Sequence, residues 1–130
     1  MRKRILIIDD EEDIREVAQL SLEEMAGWRT LGAESGADGV SRAQEELPDA
    51  ILLDVMMPDM DGPTVLARLK ADRRTADIPV ILLTAKVQVA RRPPSGGAAG
   101  VILKPFDPVD LAHQVERLLG WPIEEPGAES

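Results

Sequence analysis

Five short runs rich in apolar residues recur along the chain, and four of them carry almost no polar alternation, whereas the second is a weaker signal. They span Arg4 to Ile8, Trp28 to Gly32, Ala50 to Asp54, Val80 to Leu83 and Val101 to Leu103. Uninterrupted runs of this length are typical of strands that are buried on both faces of a sheet. The pattern therefore predicts five strands.

Between these runs, apolar residues return at helical spacing, which predicts four amphipathic helices. The inward positions are expected at Ile14, Val17, Ala18, Ser21 and Met25, then Ala37, Val40, Ala43 and Leu47, then Val65, Leu66 and Leu69, and finally Leu111, Val115, Leu118 and Leu119. Gly27, Pro48 and Gly120 are expected to end helices, whereas Pro63 suits a first turn.

Alternation of strand and helix predicts right-handed crossovers and a parallel sheet covered on both faces, an α/β fold. Lys86 to Arg92 is expected to form a short helix. A mobile loop is expected after it, because Pro93-Pro94 and Gly96-Gly97 disfavour a helix interior. We expect one domain over 1–122 and an acidic, disordered tail over 123–130.

The composition of the chain argues against several classes of function. The net charge of −9 argues against direct binding to nucleic acid, and three aromatic residues are too few for a base-stacking platform. The chain has no cysteine, so thiolate metal sites and disulfides are excluded. No apolar run approaches the ~18 residues of a membrane span. A cytoplasmic location is the expected default.

Polar residues end four of the five runs: Asp9-Asp10, Asp54, Thr84 and Lys104. The carboxyl ends of parallel strands share one edge, so these groups are expected to converge. Clustered carboxylates repel one another unless a cation intervenes, and Mg²⁺ suits a few carboxylate oxygens. Asp54 would then be a nucleophile toward a phosphoryl group, with Lys104 and Thr84 binding its oxygens. Taken singly, these residues also suit a helix cap, a strand position or a solvent-directed lysine.

Four motifs in this order resemble the receiver domain of two-component response regulators: IDDEEDIR, ILLDVMMPDMDG, PVILLTAK and GVILKPFDP. The resemblance covers about Arg4 to Leu119. It implies a flavodoxin-like, five-stranded parallel sheet of order 2-1-3-4-5. It also implies that Asp54 accepts a phosphoryl group from a sensor histidine kinase or phosphotransfer protein. The implied roles of the other residues are Mg²⁺ binding by Asp9, Asp10, Asp54 and the Met56 carbonyl, a switch hydroxyl on Thr84 and a phosphate-binding Lys104, followed by a cis bond to Pro105.

The chain departs from the family pattern in its switch region. Val101 occupies the position that is usually aromatic, and Pro93-Pro94 interrupts the fourth helix of the family. Met56 and Lys86 flank the phosphate position, and the apolar Met56 offers nothing to hold an attacking water. His113 is expected on a helix surface rather than as a phosphodonor.

The sequence is therefore interpreted as a stand-alone receiver that catalyses its own phosphorylation but is not a metabolic enzyme. Its signal is expected to pass through contact with a downstream protein, without direct contact to nucleic acid or membrane. Two alternatives stay open: a pseudo-receiver that binds partners without phosphorylation, and a magnesium-dependent phosphatase.

Overall fold

The computed structural model describes residues 2–87 and 96–122. Within these ranges, five strands form one parallel sheet in the order β2-β1-β3-β4-β5, which confirms the predicted topology. The elements in chain order are β1 (Arg4–Ile8), α1 (Glu12–Ala26), β2 (Arg29–Ala33), α2 (Gly36–Glu46), β3 (Ala50–Asp54), α3 (Gly62–Ala71), β4 (Val80–Thr84), β5 (Gly100–Leu103) and α4 (Leu111–Leu119). The predicted helix and loop after Lys86 fall largely on 88–95, and the predicted tail falls on 123–130. The ranges 88–95 and 123–130 lie outside the described residues.

Alternate side chains of the strands pack into two separate hydrophobic cores, one on each face of the sheet. Ile5 and Ile7 pack on one face with α1 and α4, whereas Leu6 and Ile8 pack on the other with α2 and α3. β3 and β4 are buried along their whole length. This two-sided burial explains why the strands read as continuous apolar runs.

The predicted inward face of α1 is partly wrong. Ala18 and Ser21 are buried as expected, but Val17 and Met25 are exposed, and Leu22 and Ala26 take the core positions instead. Apolar residues surround much of this helix, so spacing alone left its rotation ambiguous.

Some inward positions predicted near the ends of α2 and α4 are also wrong. Leu47 was expected in the core but is exposed, because it adopts a left-handed cap conformation just after α2. Ala37 is also exposed, while Gly36 and Gly39 are buried. In α4, Leu111 and Val115 are buried as predicted, but Leu118 is exposed. The three inward positions predicted in α3 are all buried.

A pair of tryptophans secures α4 to the rest of the domain. The rings of Trp28 and Trp121 meet edge to face at 5.3 Å. The Trp28 indole N–H donates to the carbonyl of Pro122 at 3.2 Å, and the Lys3 ammonium lies over the Trp121 ring. Among the described residues, no helix is long and apolar enough to cross a membrane.

Candidate functional site

The carboxyl edge of the sheet brings together the polar groups that follow β1, β3, β4 and β5. Asp54 is the last residue of β3 and Thr84 the last of β4. Asp9 follows β1, and its N–H continues the ladder to the Ala33 carbonyl at 3.1 Å. The Lys104 N–H does the same from the end of β5, donating to the Thr84 carbonyl at 2.7 Å. The predicted convergence is therefore a direct result of the strand order.

Three carboxylates form the acidic part of this site. One oxygen from each of Asp9, Asp10 and Asp54 lies within 4.8 Å of the other two. Asp9 is fully buried and Asp54 is 4% exposed, whereas Asp10 lies at the surface. Two of the three carboxylates are thus buried, and the third lies at the surface.

Lys104 bridges the two buried acids. Its ammonium lies 2.9 Å from Asp9 Oδ2 and 3.2 Å from Asp54 Oδ1. Its side chain is only 11% exposed, so these charges interact with little screening by solvent. The lysine offsets part of the negative charge and leaves two buried carboxylates against one ammonium.

The pKa values reflect this balance. Burial, and then the neighbouring charge of Asp9, raise the pKa of Asp54 above its ordinary 3.8, although Lys104 opposes the shift. Burial lowers the pKa of Lys104, but its contacts with Asp9 and Asp54 outweigh burial and leave the pKa above 10.5. The site therefore holds its protons more tightly than separate groups would, which is the expected response to excess negative charge.

The residues present fit a divalent cation. Asp9 Oδ1 accepts the N–H of Glu11 at 2.9 Å, whereas the buried Asp9 Oδ2 accepts no aligned hydrogen bond from the described residues. One oxygen of Asp9 lies within 4.8 Å of oxygens of Asp10 and Asp54, and the nearest cation to Oδ2 among the described residues is the Lys104 ammonium at 2.9 Å. An all-oxygen, partly open set of this kind is the chemistry that Mg²⁺ prefers.

Thr84 is buried beside this cluster, and its hydroxyl oxygen accepts the Lys86 N–H at 3.1 Å. A threonine hydroxyl that accepts one hydrogen bond still carries a proton that it can donate. Met56 approaches Asp54 through its backbone, with its N–H 3.5 Å from Asp54 Oδ1, while its side chain is 65% exposed.

Sequence reasoning missed the residues that hold the loop after Asp54. The Asp59 carboxylate accepts the N–H groups of Gly36 and Ala37 at 3.0 and 3.1 Å, which ties the loop to the start of α2 and lowers the pKa of Asp59, with Gly36 the larger cause. Asp61 caps α3 by accepting the Thr64 N–H at 2.8 Å. The turn-forming composition of this stretch was visible, but the partners of its acids were not.

Gly62 permits a close approach between the start of α3 and the residue after β3. A Cβ at position 62 would lie 2.8 Å from the Cα of Val55, a contact that backbone atoms cannot relieve by rotating a side chain. The absence of that Cβ lets α3 begin close to the end of β3, where the Gly62 N–H donates to the Val55 carbonyl at 2.8 Å.

The remaining predictions concern residues around the site. The Lys104-Pro105 bond is cis, as the resemblance implied. Val101 is partly buried and packs against the core formed with α2 and α3. His113 is exposed on α4 and lies 3.6 Å from Glu116, in agreement with a surface role.

The fold and this edge together define a doubly wound α/β protein with a carboxylate cluster and a lysine at its carboxyl edge. The sequence matches the response regulator receiver domain over residues 5–116. It is 43% identical over 118 residues to the DNA-binding dual master transcriptional regulator RpaA of Synechocystis sp., covering 89% of this chain and 48% of that protein. It is 41% identical over 119 residues to the phosphate regulon transcriptional regulatory protein PhoB of Pseudomonas aeruginosa, covering 90% and 52%.

A solved structure agrees. The chemotaxis response regulator CheY4 of Vibrio cholerae superposes with a TM-score of 0.82 at 27% identity, covering 92% of this chain and all of that one. The chain belongs to the response regulator receiver domain family. It is thus a phosphoacceptor domain of two-component signalling. It spans about half the length of the curated relatives just described.

Proposed function

We propose that Asp54 is the phosphoacceptor of this domain and that its phosphorylation switches contacts with other proteins. The single observation that carries the proposal is the position of the Asp54 carboxylate, which ends a buried strand within 4.8 Å of two other carboxylates and 3.2 Å from the Lys104 ammonium. We further propose that the receiver unit spans 1–122, which the packing of Trp121 on Trp28 supports.

The donor is a phosphohistidine on a histidine kinase or a phosphotransfer protein, the donors that receiver domains use. The ionised oxygen of Asp54 forms a bond to phosphorus while the phosphorus–nitrogen bond breaks. The electron pair of the broken bond leaves with the imidazole. The domain supplies the groups that favour this transfer, so it catalyses its own phosphorylation.

Asp9, Asp10 and Asp54, with the Met56 carbonyl, would hold Mg²⁺. When bound, the ion offsets the negative charge of the acids and of the transferring group. Lys104 stabilises the charge that develops on a phosphoryl oxygen, and it already lies between Asp9 and Asp54. Thr84 donates its hydroxyl proton to another phosphoryl oxygen, which draws the residues after β4 toward the site.

A beryllofluoride titration tests this assignment without turnover, because beryllofluoride with Mg²⁺ stands in for a phosphoryl group on a carboxylate. We expect saturable binding by fluorine NMR that requires Mg²⁺ and is lost in Asp54→Asn. Asp59→Asn is the matched control, since that carboxylate caps α2 instead. Undiminished binding in Asp54→Asn would contradict the assignment.

The downstream partner is proposed to be a protein. RpaA and PhoB are transcriptional regulators by name, but this chain matches only about half of each. Its own charge of −9 disfavours direct contact with nucleic acid.

A further inference from the structure

Arg15 reaches back from the first turn of α1 to the turn that carries two of the three acids. Its guanidinium Nη1 donates to the Asp9 carbonyl at 2.8 Å, and its backbone N–H donates to the Glu11 carbonyl at 3.0 Å. One residue thereby binds both ends of the segment from Asp9 to Glu11, called here the acid turn.

These contacts leave Asp9 little freedom. Its N–H is bonded to the Ala33 carbonyl, its carbonyl to Arg15, and its Oδ1 to the Glu11 N–H. The other oxygen, Oδ2, lies 2.9 Å from the Lys104 ammonium. The direction of the fully buried carboxylate is therefore set by a backbone that Arg15 helps to hold.

Gly32 in β2 leaves space for the side chain of Arg15. A Cβ at position 32 would lie 3.1 Å from Arg15 Cδ, 3.4 Å from Arg15 Nε and 3.2 Å from Gln19 Oε1. Contacts this short would require the side chain of Arg15 to shift by a few tenths of an ångström. The small size of Gly32 thus suits the present position of Arg15, outside the acidic cluster.

We propose that Arg15 is a positioning residue for cation binding, holding the acid turn so that Asp9 and Asp10 present their oxygens to Mg²⁺. The inference rests on the proposed magnesium site. The direction of the change in Mg²⁺ affinity distinguishes this role from a purely electrostatic one. Loss of a nearby positive charge should tighten binding of a cation, whereas loss of a residue that holds the ligands in place should weaken it.

The test is titration of metal-free protein with Mg²⁺ by calorimetry, beside the metal-free melting temperature. We expect Arg15→Gln to raise the Kd for Mg²⁺ by about tenfold, the lower end of the effect of removing a group that orients a ligand. Arg15→Lys keeps the charge and one donor, and should fall between. Arg42→Gln is the matched control, because Arg42 lines the same open groove and pairs with Asp38 at 3.9 Å. It should leave the Kd within about twofold.

Gly32→Ala is a second test of the same role, because the added methyl group crowds the Arg15 side chain. It should also weaken Mg²⁺ binding, and it can be measured even if Arg15→Gln does not fold. Labelling of Arg15→Gln by a small phosphodonor should recover at saturating Mg²⁺, since Arg15 is not expected to touch the phosphoryl group. Unchanged or tighter Mg²⁺ binding in Arg15→Gln and Gly32→Ala, with normal binding by the unmodified protein, would overturn the role of Arg15 alone. Failure of the unmodified protein to bind Mg²⁺ would overturn the metal site itself.

Discussion

Replacement of Lys104 by methionine gives a sharp test of how the site balances its charges. The ammonium lies 2.9 Å from Asp9 and 3.2 Å from Asp54, which corresponds to gross attractions of about 6 and 5 kcal/mol at an effective dielectric constant of about 20. Desolvation offsets much of this. Removing one partner of a buried pair typically costs about 3–5 kcal/mol, because the other charge stays buried.

For a domain of this size that cost corresponds to a fall in melting temperature of about 10–20 °C. The loss should depend on pH. Without Lys104, the pKa of Asp54 rises further above 3.8, since a group that lowers it is gone. A carboxyl with a raised folded pKa favours the folded state below 3.8, and that contribution is lost as pH rises through the folded pKa. The deficit of Lys104→Met should therefore be largest at pH 8 and shrink as the pH is lowered.

Mg²⁺ should also restore part of the stability, because it replaces the missing positive charge. The assay is thermal unfolding at pH 5 and pH 8, each with and without millimolar Mg²⁺. Lys70→Met is the control: the Lys70 ammonium donates to the carbonyls of Ala76 and Ile78 at 3.0 and 3.1 Å, so neither acid nor Mg²⁺ should rescue it. An equal loss for Lys104→Met under all four conditions would refute the charge-balance reasoning.

Three further predictions follow from the same geometry. Mg²⁺ should raise the melting temperature of the unmodified protein, and Asp10→Ala should remove most of that rise because a ligand is lost; equal rises in both would exclude Asp10 as a ligand. Gly62→Ala should lower the free energy of unfolding by at least about 1–3 kcal/mol and slow labelling, since its Cβ meets the backbone of Val55 at 2.8 Å; unaltered denaturation would show that α3 can shift freely. With beryllofluoride and Mg²⁺, amide exchange should slow over 86–100 more than in α4, because Thr84 draws the following residues inward and Val101 offers no ring to switch; protection confined to α4 would place the switch elsewhere.

The parts of this structure that sequence reasoning predicted well depend on chain direction. Parallel strands end on one edge whatever the details of packing, so runs ending at Asp54, Thr84 and Lys104 were enough to predict a shared site. The bounds of β2 were nonetheless wrong by one residue, since the prediction was Trp28–Gly32 and the strand spans Arg29–Ala33. An edge strand with mixed burial lacks the uniform apolar signal of β3 and β4.

Helix rotation was harder to predict, because it depends on how closely a helix approaches the sheet. Gly39 is buried against Ile8, where an added Cβ would lie 2.5 Å from Ile8 Cδ1. A missing side chain gives no hydrophobic signal, although it decides which face of α2 turns inward. Contacts between a helix side chain and a backbone group outside that helix, such as Arg15 to Asp9, likewise have no periodic pattern in the sequence.

The acceptor assignment is tested most directly by mass spectrometry of the intact protein after incubation with a small-molecule phosphodonor and Mg²⁺, followed by mapping of the modified residue. We predict that one phosphoryl group is added, that it maps to Asp54, and that it is absent without Mg²⁺ and from Asp54→Asn. A phosphoryl group mapped to any other residue, or labelling of Asp54→Asn at the rate of the unmodified protein, would contradict the account.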